Sequence, residues 1–443
     1  MKIGKHSSRL RSLRSQKLYR YLFYIFLYII FIPIAESYVL SIGHLPPLKK
    51  GDSFLFLTDL SGLGPSVKIS FYNESGKEVS VSNKLLPPQG KIQLNIKDHI
   101  KSAGTIVVDT PNDQIMGEYW QFQGKESIST LYLQPSSEEE RYFVNCFQMP
   151  FCDQTIIVIS DPYGNGPMVQ MEFYGKSGEL IRIARKLIRP HGLLAVKASE
   201  YAPTDILSKV SVRSFGGGIT VHRRHICHKK SFLMPASKPY RDFMIYFSNE
   251  KKNLRNLTVI DTSANGANVN IKLINQSGEL AYDLNITLTP GSGTLVNLSG
   301  YIDEINNGVI RIISSSEIIA DYWESDLDSG SLILDTGINY RNKQFLCSTY
   351  FSLYKNMNFE LFLLNIGKEI SKVEIQFYNS NGERIGTKKI TLGTYRDFSQ
   401  LLDHYFKGVI LGTLIIKEST SELLATTIIT DANNRLLGKA AVY

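Results

Sequence analysis

The chain contains one short segment four times. Val67–Gly76 reads VKISFYNESG, and its counterparts are VQMEFYGKSG at 169–178, VNIKLINQSG at 269–278 and VEIQFYNSNG at 373–382. Apolar and polar residues alternate along each copy, which is the period of a strand with one face in a core. The closing glycine supplies the positive φ of a tight hairpin. The glycines are 102, 100 and 104 residues apart, which is the length of an autonomous domain and too long for a solenoid unit.

Other sequence features recur at nearly constant distances from these hairpins. A Pro/Gly-rich break follows each of the first three, and Trp120 and Trp323 fall 44 and 45 residues after their closing glycines. Each copy holds seven or eight short apolar runs separated by turns, a pattern typical of an antiparallel β-sandwich. We therefore predict an all-β chain of four tandem, immunoglobulin-like sandwiches. Both Trp residues are predicted to be buried, with a sugar-stacking platform as the alternative.

The predicted domains are joined by short links, which favours a semi-rigid rod of beads on a string. Helical periodicity is rare; residues 397–407 are the best candidate for a short helix, or else form a strand-to-strand crossover. The predicted boundaries are 1–37 for the leader and 38–137, 138–237, 238–342 and 343–443 for the four sandwiches.

The leader has the layout of a secretory signal. Residues 1–20 contain seven Lys and Arg and no acid, and residues 21–35 are uncharged and mostly apolar. Fifteen residues are short for a bilayer span, which needs about 20. We favour a signal peptide cut between Ser37 and Tyr38, with an uncleaved N-terminal membrane anchor as the alternative. Both interpretations place residues 38–443 outside the cytoplasm, secreted, periplasmic or at the cell surface.

The composition limits the class of this chain and the kinds of partner that it can bind. The chain is 43% hydrophobic and 20% charged, which excludes a mostly disordered chain and a collagen. Its net charge of +8 divides into +6 in residues 1–37 and +2 in residues 38–443, where 42 basic residues face 40 acidic ones. The basic excess is therefore mostly an export feature, and no nucleic-acid partner is predicted.

Domain 2 differs most from its siblings, because residues 222–230 read HRRHICHKK. His222, His225, Cys227 and His228 are weak candidate ligands for zinc or copper. On a strand, however, His225 and Cys227 point to one face and His222 and His228 to the other. Four cations in the same segment would also oppose a metal dication. We favour a solvated basic strand with one buried Cys, and predict no metal and no cofactor.

The same domain suggests a cationic surface. A second basic run precedes the first, and together the two runs could bind phosphate, sulfate, a lipid headgroup or an anionic glycan. The candidate residues are Arg182, Arg185, Lys186, Arg189, Arg223, Arg224, Lys229 and Lys230.

Four cysteines fit an oxidising compartment. The sequence does not choose among the three possible pairings: a bridge from Cys146 or Cys152 to Cys227 is one option, and a Cys146–Cys152 loop is another. Because Cys347 is the only cysteine outside domain 2, disulfides do not hold the repeat together.

Known enzyme motifs are missing: there is no P-loop, no Gly-x-Ser-x-Gly elbow, no His-Glu-x-x-His and no dinucleotide fingerprint. The hairpin segments and the breaks after them resemble the immunoglobulin-like and fibronectin-like repeats of bacterial exported surface proteins. That resemblance implies a non-enzymatic structural or adhesion role through protein or glycan contacts. The alternatives are a binding module in which domain 2 captures an anion, and a metal-binding or enzymatic site around His222–His228. Self-assembly through strand edges is a further option.

Overall fold

The predicted all-β class is confirmed by the computed structural model. It describes residues 38–47, 51–123, 127–135, 141–149, 152–227, 230–237, 239–248, 253–305, 307–326, 332–336, 345–351, 357–394, 396–418, 423–431 and 436–441. These residues belong to one unit, Tyr38–Tyr443. The predicted leader, residues 1–37, lies outside the described residues. Among the helices of the described ranges, none is long and apolar enough to cross a membrane.

Repeat 1 (38–137) folds into two antiparallel sheets with the strand orders β4-β3-β6-β1-β9 and β5-β2-β7-β8. Its strands are β1 (Tyr38–His44), β2 (Ser53–Asp59), β3 (Ser66–Asn73), β4 (Glu78–Leu85), β5 (Lys91–Asn95), β6 (Gly104–Thr110), β7 (Ile115–Gln123), β8 (Ser127–Tyr132) and β9 (Gln134–Pro135).

Repeat 2 (138–237) has the sheets β13-β12-β15-β10 and β14-β11-β16-β17. Its strands are β10 (Arg141–Asn145), β11 (Cys152–Ser160), β12 (Met168–Gly175), β13 (Leu180–Leu187), β14 (Leu193–Lys197), β15 (Leu207–Phe215), β16 (Thr220–Cys227) and β17 (Lys230–Pro235).

Repeat 3 (238–342) joins its two layers through one long strand, β23 (Asn307–Asp326). The first part of β23 pairs with β18 and β20, and the second part pairs with β19 and β24. The other strands are β18 (Tyr240–Ser248), β19 (Asn253–Asp261), β20 (Ala267–Asn275), β21 (Leu280–Leu288), β22 (Gly293–Asn297) and β24 (Leu332–Thr336).

Repeat 4 (343–443) has the sheets β28-β27-β30-β25 and β29-β26-β31-β32. Its strands are β25 (Phe345–Phe351), β26 (Met357–Asn365), β27 (Ser371–Asn379), β28 (Arg384–Leu392), β29 (Asp397–Leu401), β30 (Leu411–Glu418), β31 (Leu423–Asp431) and β32 (Leu436–Ala441).

Short helical turns occupy one equivalent place in every repeat, after the fifth strand. They are the 3₁₀ turns Ile96–Asp98, Ala198–Glu200 and Leu402–His404 and the α-helix α1 (Ser299–Ile302). The helix expected over 397–407 is therefore wrong in extent, because β29 and a three-residue turn fill most of that stretch.

The strand order departs from that of an immunoglobulin domain. In repeats 1, 2 and 4 the second strand pairs with the fifth and the third with the sixth, as in immunoglobulin sheets. The first strand, however, pairs with the sixth rather than the second, and the seventh pairs with the second. The two layers enclose a core as in any sandwich, but the first and seventh strands have changed places relative to the immunoglobulin order.

The repeated hairpins lie where the sequence predicts them, on β3, β12, β20 and β27. Their glycines, Gly76, Gly178, Gly278 and Gly382, have φ values of +83°, +95°, +83° and +81°, a region that side chains with a Cβ rarely adopt. Three of these turns also pack against the Pro/Gly break of another repeat. Gly76 lies on Pro190, Gly178 on Pro290 and Gly382 on Pro88, and none of these contacts leaves room for a Cβ. The hairpin and the Pro/Gly break recur at a constant spacing because they contact each other across repeat boundaries.

The contact between Gly382 and Pro88 joins repeat 4 to repeat 1. Repeat 1 packs on repeat 2 through Leu45 and Val158, and further apolar clusters join repeats 2 and 3 and repeats 3 and 4. The cluster around Trp120 and Phe359 joins repeat 4 to repeat 1. The last strands also meet in order, β8 with β17, β17 with β24, β24 with β32 and β32 with β8. The expectation of a rod is therefore wrong, because the four repeats form a closed cycle.

Candidate binding sites in and around repeat 2

Strand β16 is buried, which corrects the expectation of a solvated basic strand. The exposed fractions of His222, Arg223, Arg224 and His225 are 4%, 1%, 3% and 2%. Of these four side chains, His222 and Arg224 face repeat 1, and Arg223 and His225 face repeat 3. Because buried charges require partners, these residues mark the seams between repeats and do not offer cations to solvent.

Arg223 forms a buried ion pair with Asp321 of repeat 3. Its Nη2 lies 2.7 Å from Asp321 Oδ2, and Asn145 Nδ2 donates to the same oxygen at 2.6 Å. Arg223 Nη1 also donates to the Asn145 carbonyl oxygen at 3.3 Å. This ion pair and the hydrogen bond from Asn145 therefore join repeat 2 to repeat 3.

A small cavity of about 10 Å³ borders this pair, with Met149, His225 and Trp323 among its lining residues. Among the described residues, Arg223 Nε, Asp321 Oδ1 and Trp323 Nε1 have no hydrogen-bond partner. The cavity has room for about one water molecule, so it is too small for an organic ligand.

Arg224 joins repeat 2 to repeat 1, as Arg223 joins repeat 2 to repeat 3. Its Nη2 donates to the carbonyl oxygens of Leu45 and Pro46 at 3.0 and 2.8 Å and to Gln121 Oε1 at 2.7 Å. In the ladder, Arg224 pairs with Ile156 as Trp120 pairs with Phe54. Arg224 therefore occupies the same position as the two Trp residues, and in all three repeats this side chain is buried.

Two histidines flank Arg224. His44 Nδ1 lies 2.8 Å from the hydroxyl of Tyr119, and His222 is buried on the same seam. Burial, reinforced by the Arg224 charge, lowers the pKa of both His44 and His222 to about 3. Burial and the Arg223 charge likewise hold the pKa of His225 well below its usual range. All three imidazoles are therefore neutral at pH 7.

The structure does not bring the candidate metal ligands together. His222 faces repeat 1, whereas His225 bonds Thr155 Oγ1 through Nδ1 at 3.0 Å on the opposite side of the strand. Cys227 is in a disulfide with Cys152, and His228 lies outside the described residues. Within the described ranges, no group of three His, Cys, Asp or Glu side chains is placed to hold a metal ion.

The disulfide joins the neighbouring strands β11 and β16 and packs on Met149, Phe232 and Trp323. Cys146 is a buried free thiol, and burial raises its pKa to about 12, so it is an inert core residue. Cys347 lies on β25.

The other basic run of repeat 2 lies on the outer edge strand β13. Arg182, Arg185 and Lys186 are exposed there, and Arg189 follows in the break. Arg182 lies over the ring of Tyr201 at 5.2 Å, and Arg185 Nε donates to Gln170 Oε1 at 2.9 Å. Lys230 begins β17, and Lys229 lies outside the described residues. Of the eight candidate cations, three thus lie on one exposed edge strand, Arg189 lies just beyond it, and two are buried.

A groove of about 500 Å³ lies beside this edge, between repeats 1 and 2. Residues 73–75 of the first hairpin and Ser102 form one wall, and residues 187–189 with Leu193 and Leu194 form the other. Its volume falls in the range of small-molecule sites. The groove depends on how two repeats pack, so no local pattern in the sequence indicates it.

The predicted burial of both Trp residues is confirmed, since Trp120 and Trp323 are 0% and 1% exposed. Each packs against another repeat as well as its own. Trp120 stacks on Phe359 of repeat 4, with ring centroids 6.2 Å apart, and Trp323 contacts Met149 and Phe232 of repeat 2. A sugar ring cannot reach either indole face.

No protein-family model and no curated protein sequence matches this chain. Among solved structures, it is similar to a tetra-tandem repeat in the extending region of a large adhesion protein, with 11% identity, 91% of this chain and 98% of that chain covered, and a TM-score of 0.12.

Two other similar structures belong to different kinds of protein. One is the α-L-rhamnosidase of Streptomyces avermitilis complexed with L-rhamnose, with 7% identity, 82% and 54% of the two chains covered and a TM-score of 0.16. The other is infectious bursal disease virus, Gt strain, with 8% identity, 91% and 84% covered and a TM-score of 0.12. At these values none of the three identifies a function.

Proposed function

We propose that this chain is a non-enzymatic, exported scaffold or adhesin that acts outside the cytoplasm through protein or glycan contacts. The observation that carries the proposal is the closed cycle of repeats. One buried ion pair and a set of apolar clusters fix the repeats against their neighbours, so the outer edges are presented by a single body. The Cys152–Cys227 disulfide supports an oxidising compartment, as does the signal-like pattern of residues 1–35.

External exposure tests this proposal directly. A protease added to intact cells of the source organism should degrade the chain, and deletion of its gene should reduce attachment to surfaces or to neighbouring cells. A cytoplasmic protein followed in the same samples should stay intact, which controls for lysis. A version lacking residues 21–35 should be protected inside the cell. Protection of the complete chain in intact cells would contradict the proposal.

A second candidate function is capture of an anionic ligand by the exposed cations of β13. The neighbouring groove and the exposure of Arg182, Arg185 and Lys186 on one edge strand favour it. Arg223 and Arg224 are not part of this surface, because both are buried within seams.

Changing Arg182, Arg185 and Lys186 to Ser should weaken binding to vesicles containing phosphatidylserine roughly 100-fold, since each cation near such a surface contributes about 1 kcal/mol. Co-sedimentation at low ionic strength measures the effect. The matched control replaces Arg384, Lys388 and Lys389 on β28, the equivalent edge of repeat 4, with Ser. Equal losses in both variants would indicate a general charge effect and would exclude a site on repeat 2.

A further inference from the structure

The outer sheet of repeat 2 ends in a row of exposed apolar side chains. Met168 is the first residue of β12, and it pairs in the ladder with Leu187, the last residue of β13, and with Phe215, the last residue of β15. The next residue, Val169, is buried in the core, so Met168 and its two partners point to the opposite, outward face. Met168, Leu187 and Phe215 are 39%, 75% and 39% exposed. Three neighbouring strands thus form one apolar row at the end of the sheet.

Two arginines lie directly behind the apolar row on the same face. Two residues further into the sheet, Arg185 and Arg213 pair with Gln170 from either side, and both arginines are exposed. Arg185 Nε donates to Gln170 Oε1 at 2.9 Å, and the Arg213 guanidinium lies 5.2 Å from the ring centroid of Phe215. These two rows contain no acid, so this end of the sheet is both apolar and positively charged.

The other repeats do not share this combination. At the positions of Met168 and Leu187 they have Ser66 and Leu85, Asn268 and Thr287, and Lys372 and Thr391. In the row behind, repeat 1 has Asp109 in place of Arg213, repeat 3 has Asn285 in place of Arg185, and repeat 4 has Glu374 in place of Gln170. The apolar row and its arginines are therefore a property of repeat 2 and not of the repeated fold.

We propose that this end of repeat 2 docks on an anionic lipid bilayer. The two rows are two residues apart, or about 7 Å along the strands, which matches the depth of about 5–10 Å to which interfacial amphipathic segments bury their apolar face. The apolar row therefore enters the acyl boundary while the arginines stay at the headgroups, whose phosphate and carboxylate oxygens they bind. A soluble anion would occupy the arginines only, whereas a bilayer also takes up the apolar row. The inference rests on the anion-capture candidate for repeat 2 and names its partner.

Insertion is measured directly with Phe215→Trp, which places an indole in the apolar row. Vesicles containing phosphatidylserine should shift the emission of this indole to shorter wavelength, and brominated acyl chains should quench it. Trp120 and Trp323 are buried and should not respond. Vesicles of phosphatidylcholine alone should have a much smaller effect, because the arginines lack an anionic surface. An emission that does not change with anionic vesicles would overturn the proposal and leave the row to a protein partner; an equal response to both vesicles would overturn the assignment to anionic lipid.

The double variant Met168→Asn/Leu187→Thr gives repeat 2 the residues that repeat 3 has at these positions. It should weaken co-sedimentation with phosphatidylserine vesicles roughly tenfold or more, because two large apolar side chains no longer enter lipid. Leu85→Thr makes a similar change at the equivalent exposed position of repeat 1 and should leave binding unchanged. Circular dichroism of each variant verifies that the fold is retained.

Failure of this inference can be told apart from failure of the anion-capture candidate. If Met168→Asn/Leu187→Thr binds the vesicles like the wild-type chain while the variant lacking Arg182, Arg185 and Lys186 does not, charge alone captures the anion. That result would overturn docking through the apolar row and would leave the candidate function intact. If neither variant loses binding, both are wrong.

Discussion

Replacing Arg223 with Met should lower the free energy of unfolding by about 3–5 kcal/mol, because the change leaves a buried carboxylate without its cation. Asp321 has an exposed side-chain fraction of 4% and Arg223 of 1%, so water cannot replace the lost partner at low cost. Asn145 would remain as a single neutral donor to the carboxylate. Urea denaturation followed by Trp fluorescence measures the loss, and both indoles lie on seams between repeats.

The double variant Arg223→Met/Asp321→Leu separates pairing from packing. It removes both charges, so it should be more stable than Arg223→Met alone. Arg185→Met on the exposed edge of β13 is the matched control and should change the free energy of unfolding by less than about 0.5 kcal/mol. If Arg223→Met behaved like Arg185→Met, the ion pair would not stabilise the seam.

Acidification should destabilise the chain steeply below pH 6.5. His44 and His222 stay neutral in the folded protein because burial and Arg224 lower their pKa values to about 3, whereas in the unfolded chain they protonate near pH 6.5. The unfolded state therefore binds more protons in this window, and stability is lost as the pH falls from 6.5 toward 3. At about 1.4 kcal/mol per pH unit for each histidine, the two together cost about 5 kcal/mol between pH 6.5 and 4.5.

The groups around these two histidines explain why protonation destabilises the folded protein. Tyr119 bonds His44 and stays protonated, since burial raises its pKa to about 12, and the Arg224 charge lowers the pKa of both imidazoles. No carboxylate is among the groups that shift either pKa, so protonation gains no partner on this seam.

Unfolding free energies at several pH values test the effect. The variant His44→Gln/His222→Gln should show a flatter dependence between pH 4.5 and 6.5 than the wild-type chain. His404→Gln, at an exposed turn of repeat 4, is the control and should keep the wild-type slope. An unchanged slope in the double variant would show that other groups cause any acid lability.

The local patterns of the sequence predict the strands well. Alternation over Val67–Asn73 and its counterparts gives β3, β12, β20 and β27, and the glycines after them adopt the positive φ that their position requires. Where alternation is weak the prediction fails. Residues 397–407 contain apolar positions compatible with either period, so a strand and a short turn were indistinguishable from a helix.

The order of strands could not be predicted from these patterns. Alternation indicates which face of a strand is buried but not which strand lies beside it. The first strand of each repeat therefore could have paired with the second, as in immunoglobulin domains, and the structure pairs it with the sixth instead.

The candidate site, too, could be predicted only in part from the sequence. The eight basic residues of repeat 2 look alike in sequence, because Arg and Lys are nearly always exposed. The structure separates them: Arg182, Arg185 and Lys186 lie at a free edge, while Arg223 and Arg224 are buried against groups that come from repeats 3 and 1. The partners are about 100 residues distant in each direction, so no window of sequence contains both members of either contact.

Local sequence was enough to predict the all-β class, the fourfold repeat, the hairpins and the burial of both Trp residues, since each depends on residues close together in the chain. The packing of repeat 4 on repeat 1 and the burial of the basic strand β16 between repeats depend on contacts between distant residues, so they became visible only in the folded chain. Those outcomes depend on the face of each sheet that points away from the core of its own repeat. Alternation marks the face that covers a repeat's own core, whereas the opposite face is buried or exposed according to which neighbouring repeat reaches it.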